Sequence, residues 1–284
     1  MIVVKLKGGL GNQMFQYAFG RFLSIKNNDQ LILDTTFLLD RTPLENVIFR
    51  DYDLDIFNLK VKHINLYEVS LINKKKYALL FNKWLKPVNE KVFNYDSEVL
   101  NLPRSGAYFD GYWQTEKYFN PVEKIIKEDF RLKNELLNIS NDLYESIISS
   151  DSVCLNFRRT DFVNNSLHGV TDENYYDRSI SYIAERIKNP VFFIFSDDIE
   201  WCRQNVKIKY PCIFAGKEHA GRKFDNYLRL MTACKNFIIP NSSFGWWAAW
   251  LSENQNKIII APAKWFNDFD GDTKDLIPER WIKM

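Results

Sequence analysis

Two adjacent arginines and an aspartate close the run Val153-Cys154-Leu155-Asn156-Phe157-Arg158-Arg159-Thr160-Asp161. A guanidinium is permanently charged and presents a rigid fork of donors that matches phosphate oxygens. An arginine at the exit of an apolar strand can therefore hold a diphosphate leaving group without any metal. A pair of surface arginines that merely caps a strand accounts for the same residues, so the segment must be weighed with its neighbours in the chain.

Three further segments have the same design, an apolar run that ends in small or polar residues. Ile2-Val3-Val4-Lys5-Leu6 reads as a buried strand, Gly8-Gly9-Leu10-Gly11-Asn12-Gln13 as a glycine loop, and Met14, Ala18 and Phe22 as the apolar face of a helix. Glycines let backbone come close to a ligand, and amides at a helix start favour an anion or a polar sugar. Asn12 also suits a helix N-cap, and a simple tight turn explains the glycines equally. The spacing departs from G-x-G-x-x-G, so neither a nicotinamide nor a flavin cofactor is indicated. Phe237-Ile238-Ile239-Pro240 leads into Asn241-Ser242-Ser243-Phe244-Gly245 and a helical run Trp246–Leu251, where hydroxyls and amides suit phosphate or sugar oxygens or else cap the helix. Val191–Phe195 ends in Ser196-Asp197-Asp198, whose carboxylates can accept from a base or from ribose hydroxyls, or can start the next helix.

Together these segments resemble glycosyltransferase family 11, the bacterial and animal α-1,2-fucosyltransferases, and more distantly the α-1,6- and protein O-fucosyltransferases. The resemblance covers most of the chain, through KLKGGLGNQMFQYAFGRFL, NFRRTD, FIFSDD, NFIIPNSSFGWWAAWL and LIPERWIKM, of which the first and fourth are long and specific. The family's arginine motif usually reads H-x-R-R-x-D. Asn156 stands at its first position here, so a contact that histidine makes to the nucleotide falls to an amide or is absent.

The resemblance implies an inverting, metal-independent transfer of L-fucose from GDP-β-L-fucose to the 2-hydroxyl of a terminal β-galactoside, in surface polysaccharide or O-antigen synthesis. It implies that Arg158 contacts the β-phosphate, that Asp161 supports the arginines, and that Asn156 and Asp197 lie near guanine. Ser242, Ser243 and Phe244 would border the diphosphate or fucose, while Gly9, Asn12 and Gln13 would face the transferred sugar and the acceptor. Arg158, Asp161 and Asn12 are accordingly the candidate catalytic residues. Arg159, next to Arg158 on a strand, points to the opposite face and is expected to be structural. None of these motifs assigns a general base.

The elements that must position these groups fall into two halves. From about residue 150 the pattern alternates between strands at 153–157, 191–196, 212–215, 236–240 and 257–260 and helices near 175–188, 198–205, 224–235 and 243–252. Such alternation signals a doubly wound parallel sheet, whose ligands bind at the carboxyl edge of the strands. The first half begins with strand, loop, helix and Leu31-Ile32-Leu33, then turns irregular and aromatic through about residue 120. The expected fold is α/β and GT-B-like, two Rossmann-type domains facing a cleft, with the C-terminal domain the more regular. Residues 1–145 are expected on the acceptor side and residues 146–284 to bind the GDP-sugar.

Composition agrees with an enzyme and excludes other classes. Net charge is +2, from 38 basic and 36 acidic residues, which provides no field for wrapping nucleic acid. No run approaches the roughly 20 apolar residues that span a bilayer, and Met1 leads straight into a strand with no signal-peptide pattern. The expected location is cytoplasmic, with at most peripheral contact at the inner face of a membrane through clusters such as Lys74-Lys75-Lys76. Cys154, Cys202, Cys212 and Cys234 form no C-x-x-C pair and are read as reduced core thiols, and His63, His168 and His219 are scattered. Asp53-Leu54-Asp55 and Asp270-Gly271-Asp272 are D-x-D triplets that follow no convincing strand, so neither a metal nor another cofactor is expected. Among the many aromatic residues, Trp113 beside Tyr112 and Gln114 is the candidate platform for a galactose-terminated acceptor. A transferase of another GDP-sugar and a non-catalytic glycan-binding protein remain as alternatives.

Overall fold

The computed structural model describes residues 1–40, 49–64, 85–101, 106–160, 162–163, 169, 171–267, 269 and 271–284. The chain forms two compact units, Met1–Arg131 with Gly271–Pro278, and Leu132–Asp270 with Glu279–Met284. The boundary expected at 145/146 falls inside the helix Asn141–Ser149.

In the first unit, β1 (Ile2–Lys5), β2 (Leu31–Asp34), β3 (Lys62–Ile64), β4 (Lys86–Asn89) and β5 (Ala107–Asp110) pair in the order β3-β2-β1-β5-β4. Every pairing is parallel. The stretch expected to be irregular thus supplies three strands. The helix Leu10–Asn27 buries Met14, Ala18 and Phe22 as its spacing predicts. Gly20 lets it settle on the sheet, since a Cβ there would stand 2.7 Å from a Leu31 methyl and 2.8 Å from a Val4 methyl.

In the second unit, β6 (Asp151–Phe157), β7 (Pro190–Ser196), β8 (Cys212–Phe214), β9 (Asn236–Ile238), β10 (Ile259–Ala261) and β11 (Ile282–Lys283) pair in the order β8-β7-β6-β9-β10-β11, again all parallel. Numbered within the unit, that is the dinucleotide-fold order 3-2-1-4-5-6, with its switch point between β6 and β9. The connecting helices Glu173–Ala184, Ile199–Asn205, Asp225–Ala233 and Ser243–Leu251 lie where the alternation predicts them, with ends shifted by a few residues. Central strands buried on both faces explain the continuous apolar runs: Val153, Cys154 and Leu155 of β6 and Phe192 through Phe195 of β7 are wholly buried. The two Rossmann-type layers of a GT-B-like α/β protein are therefore present, each built on its own parallel sheet.

Candidate functional site

The switch point of the second unit brings together residues distant in sequence. β6 ends at Phe157, and the next three residues wrap around one carboxylate at the exit of β7. Asp197 accepts from the Arg159 amide at 2.9 Å and from the Thr160 amide at 3.2 Å, and the Thr160 hydroxyl also donates to it. The Oδ2 that takes both Thr160 bonds also lies 3.1 Å from Arg158 Nη1. Asp197 is thus engaged with the turn that aims Arg158, so its place is a positioning one. Arg158 keeps about a quarter of its side chain exposed. Strand alternation does not apply to Arg159, because β6 has already ended at Phe157; its guanidinium carbon lies 3.4 Å from the centroid of the Trp201 ring. Asp161 lies outside the described residues.

Across the switch point, β9 leads through Pro240 into the helix Ser243–Leu251. Ser242 is its N-cap and makes no side-chain capping bond. The first-turn amides of a helix have no intrahelical acceptors, which makes such a start suited to an anion. Ser243 and Phe244 lie half-buried in that first turn, and Asn241 is buried, donating to the Trp265 carbonyl at 3.0 Å and accepting from the Thr171 hydroxyl at 3.1 Å. Asn156 links the two sides. Its Nδ2 donates to the Phe195 carbonyl at 3.1 Å, and its Oδ1 lies 2.7 Å from where a Cβ on Gly245 would stand. The glycine of NSSFG is therefore needed so that the helix start can close on the amide of NFRR.

In the first unit the glycine loop leaves β1 with Gly8 at φ +79°, where a Cβ would meet the Asn12 amide at 2.4 Å. Gly9, not Asn12, is the N-cap of the following helix. Asn12 sits one turn in, and its Oδ1 accepts from Gln114 Nε2 at 2.7 Å. Gln13 is buried and acts as a clamp: it donates to the carbonyls of Gly8 and Asp51 and accepts from the Asp53 amide. It therefore holds the 51–53 segment on the glycine loop and does not line a sugar site.

Trp113 also differs from expectation. Its ring is 1% exposed and stacks on Phe19 at 4.3 Å, so it offers no platform to an acceptor. The cause is local. Glu90 accepts from the amides of Tyr112 and Trp113 at 2.7 and 2.8 Å and holds a turn in which Trp113 adopts φ +56°, sending the indole inward. Burial pushes the Glu90 carboxyl above its ordinary value despite those two donors. Beside it, Lys5 and Lys7 both bind Asp110 at 2.8 Å, and Lys7 lies over the Tyr112 ring. Sequence reasoning missed Glu90, Asp110 and Gln114. The one available signal was the pair of lysines at the exit of β1, Lys5 as its last residue and Lys7 two residues beyond it.

Asp53 precedes a short helical turn at Leu54–Ile56, Asp270 lies outside the described residues, and Asp272 bonds to Lys274. Among the described residues no group of three His, Cys, Asp or Glu stands close enough to hold a metal ion, and no helix is long and apolar enough to cross a membrane.

The family model described as glycosyl transferase family 11 matches residues 1–284. An Escherichia coli protein named alpha-1,2-colitosyltransferase is 34% identical, over 100% of this chain and 99% of its own length. The E. coli O-antigen biosynthesis glycosyltransferase WbnK is 30% identical, over 98% of this chain and 99% of its own. Among animal proteins, the galactoside alpha-(1,2)-fucosyltransferase 2 of Sus scrofa is 23% identical, over 89% of this chain and 70% of its own length.

Proposed function

The chain belongs to glycosyl transferase family 11, and from that premise we propose that it transfers L-fucose from GDP-β-L-fucose to the 2-hydroxyl of a terminal β-galactoside. The observation that carries this reading is Arg158, aimed by Asp197 at a switch point whose other wall is the start of the helix Ser243–Leu251. The acceptor oxygen attacks the anomeric carbon from the face opposite the diphosphate. Its new bond forms as the bond to the β-phosphate oxygen breaks, the configuration inverts, and the hydroxyl proton passes late to solvent. Charge then builds on the diphosphate. Fixed donors aimed at that charge, Arg158 and the first-turn amides and hydroxyls around Ser243, supply the stabilisation that a divalent metal gives elsewhere. Asn156 and Gly245 keep those two walls together, and Asn12 in the first unit serves the transferred sugar and acceptor. No cofactor takes part.

The relative named for O-antigen synthesis supports a surface polysaccharide as the destination. A second reading concerns the donor sugar and is favoured by the relative named for colitose, which is L-fucose without its 3-hydroxyl. The same machinery serves either sugar, because Arg158 and the helix start act on the diphosphate that both donors share.

The test incubates purified protein with GDP-fucose or GDP-colitose and a panel of β-galactosides in the presence of EDTA, with mass spectrometry of the glycans. One added deoxyhexose supports the fucosyl reading, and one added dideoxyhexose replaces it with the colitosyl reading. Glycan binding without transfer from either donor overturns both.

A further inference from the structure

The loop that follows β8 presents an aromatic ring in an unusual way. Lys223 and Phe224 have φ of +53° and +63°, and Gly221 just before them has +73°. The left-handed region is uncommon for non-glycine residues and disfavoured for a bulky one, so two in succession persist only where the surroundings over-determine them. Here the surroundings do. The Tyr227 hydroxyl lies 2.7 and 2.8 Å from the carbonyls of Ala215 and Gly216, the Tyr227 amide donates to Ala220, and Asn226 Nδ2 donates to the His219 carbonyl. A Cβ on Gly221 would stand 2.2 Å from Asp225 Oδ1, so the loop is folded tightly on the first turn of the helix Asp225–Ala233.

The outcome of this rigid construction is an exposed ring. Phe224 is 45% accessible, although it follows the charged pair Arg222-Lys223, and its contacts are edge and tilted ones with Phe244 at 6.3 Å and Tyr227 at 6.0 Å. Phe244 is the second residue of the helix Ser243–Leu251 at the switch point. The ring therefore stands at the carboxyl edge of the sheet, on the β7–β8 side, next to the wall assigned to the diphosphate. In sheets of order 3-2-1-4-5-6 the phosphates lie at the switch point and the ribose lies over the end of the second strand, here β7. A nucleoside that continues in this direction brings its base over the loop after the third strand, which is β8.

We propose that Phe224 is a nucleobase platform, on which the base of the donor nucleotide stacks while Arg158 and the helix start hold the diphosphate. This inference rests on the proposed reading of the second unit as the nucleotide site, and it names the residue that gives the base its affinity. Stacking on a π-face tolerates any base, so Phe224 supplies affinity and leaves base identity to hydrogen-bonding groups. The strained backbone is then the means of presenting a flat ring without ordering it at the moment of binding.

Titration calorimetry of the full chain with GDP and with inorganic pyrophosphate tests the platform. For Phe224→Ala the GDP Kd should rise by about tenfold. The pyrophosphate Kd should stay at the wild-type value, and Phe224→Trp should bind GDP at least as tightly as wild type. A purely structural Phe224 would weaken both ligands together, and a ring that stacks on the transferred sugar would leave GDP unaffected while weakening GDP-fucose. Either result overturns the platform while leaving the nucleotide site in place. Wild-type protein that binds pyrophosphate but gains nothing from the nucleoside of GDP also overturns it. Wild-type protein that binds neither ligand overturns the nucleotide reading itself.

Discussion

The two sheets end their strands in opposite ways. At the carboxyl edge of the first sheet, side chains are engaged internally: Lys5 and Lys7 share Asp110, Gln114 donates to the Asn12 side-chain oxygen, and Gln13 is used on three backbone groups. The edge of the second sheet also has a carboxylate on backbone, as Glu90 is in the first, but here that carboxylate pairs with an arginine. Asp197 accepts from two successive amides and steadies one arm of Arg158, whose fork carries five donors in all. The opposite wall is a helix start whose cap makes no side-chain bond. Similar parallel layers thus serve different ends, one with charges matched internally and one with cationic and amide donors presented at a switch point. The strand-exit chemistry makes the difference, not the fold.

Arg158→Ala should break the comparison most severely. Loss of the charged fork is expected to slow transfer by a hundredfold or more, with a comparable rise in GDP Kd and little change in apo Tm (on the order of mutational losses of a transition-state donor). Arg158→Lys should fall between, since an ammonium keeps the charge and loses the planar fork. Near-wild-type turnover of Arg158→Ala would show that the second edge does not stabilise the leaving diphosphate.

Gly245→Ala comes next. Its Cβ would press on Asn156 Oδ1, and Asn156 is itself held on the Phe195 carbonyl. The helix start must back away, so GDP Kd should rise about tenfold and stability should fall by about 1–3 kcal/mol, the usual cost of overpacking. Unchanged calorimetric and thermal profiles would mean that the two walls need not close.

Gln114→Glu sharpens the role of the first unit. A carboxylate cannot donate to the Asn12 carbonyl, so the Asn12 amide should turn over and kcat should drop by about tenfold, while GDP Kd stays at its wild-type value. A change in GDP Kd with kcat preserved would remove Asn12 from the chemistry.

The smallest effect is expected at Asp110. Burial pushes its pKa up, but the hydrogen bonds and charges of Lys5 and Lys7 outweigh burial and leave it below the ordinary aspartate value of 3.8. A carboxylate with a depressed folded pKa contributes stability above its unfolded pKa and loses that contribution as pH falls through the folded one. Asp110→Asn should therefore cost about 1 kcal/mol at pH 7. The gap from wild type should close below pH 3.8 in thermal melts. A gap that persists in acid would mean the lysines act through packing.

The motifs legible in the sequence were local ones. A glycine loop, an arginine turn and a Ser-Ser helix start each lie within a few residues, and the buried central strands of the second unit advertise themselves as unbroken apolar runs. β3 and β4 did not, because they are short and lie at sheet edges; Lys62-His63-Ile64 and Lys86-Pro87-Val88-Asn89 carry polar residues and a proline that an edge tolerates. Trp113 was misread for a related reason. Whether an aromatic ring faces solvent depends on a backbone turn, and that turn is held by Glu90, more than twenty residues away.

The sequence by itself determined the two-layer α/β plan and which residue types stand at the strand exits, since periodicity and local composition follow from neighbours in the chain. Only the tertiary structure decided their duties. Asp197 became the support of Arg158, Gln13 a clamp, Gln114 the partner of Asn12, and Phe224 an exposed ring in a strained turn. Each of these depends on contacts brought together by parallel crossover connections, and a hydrogen bond or a buried face exists only once distant segments have met.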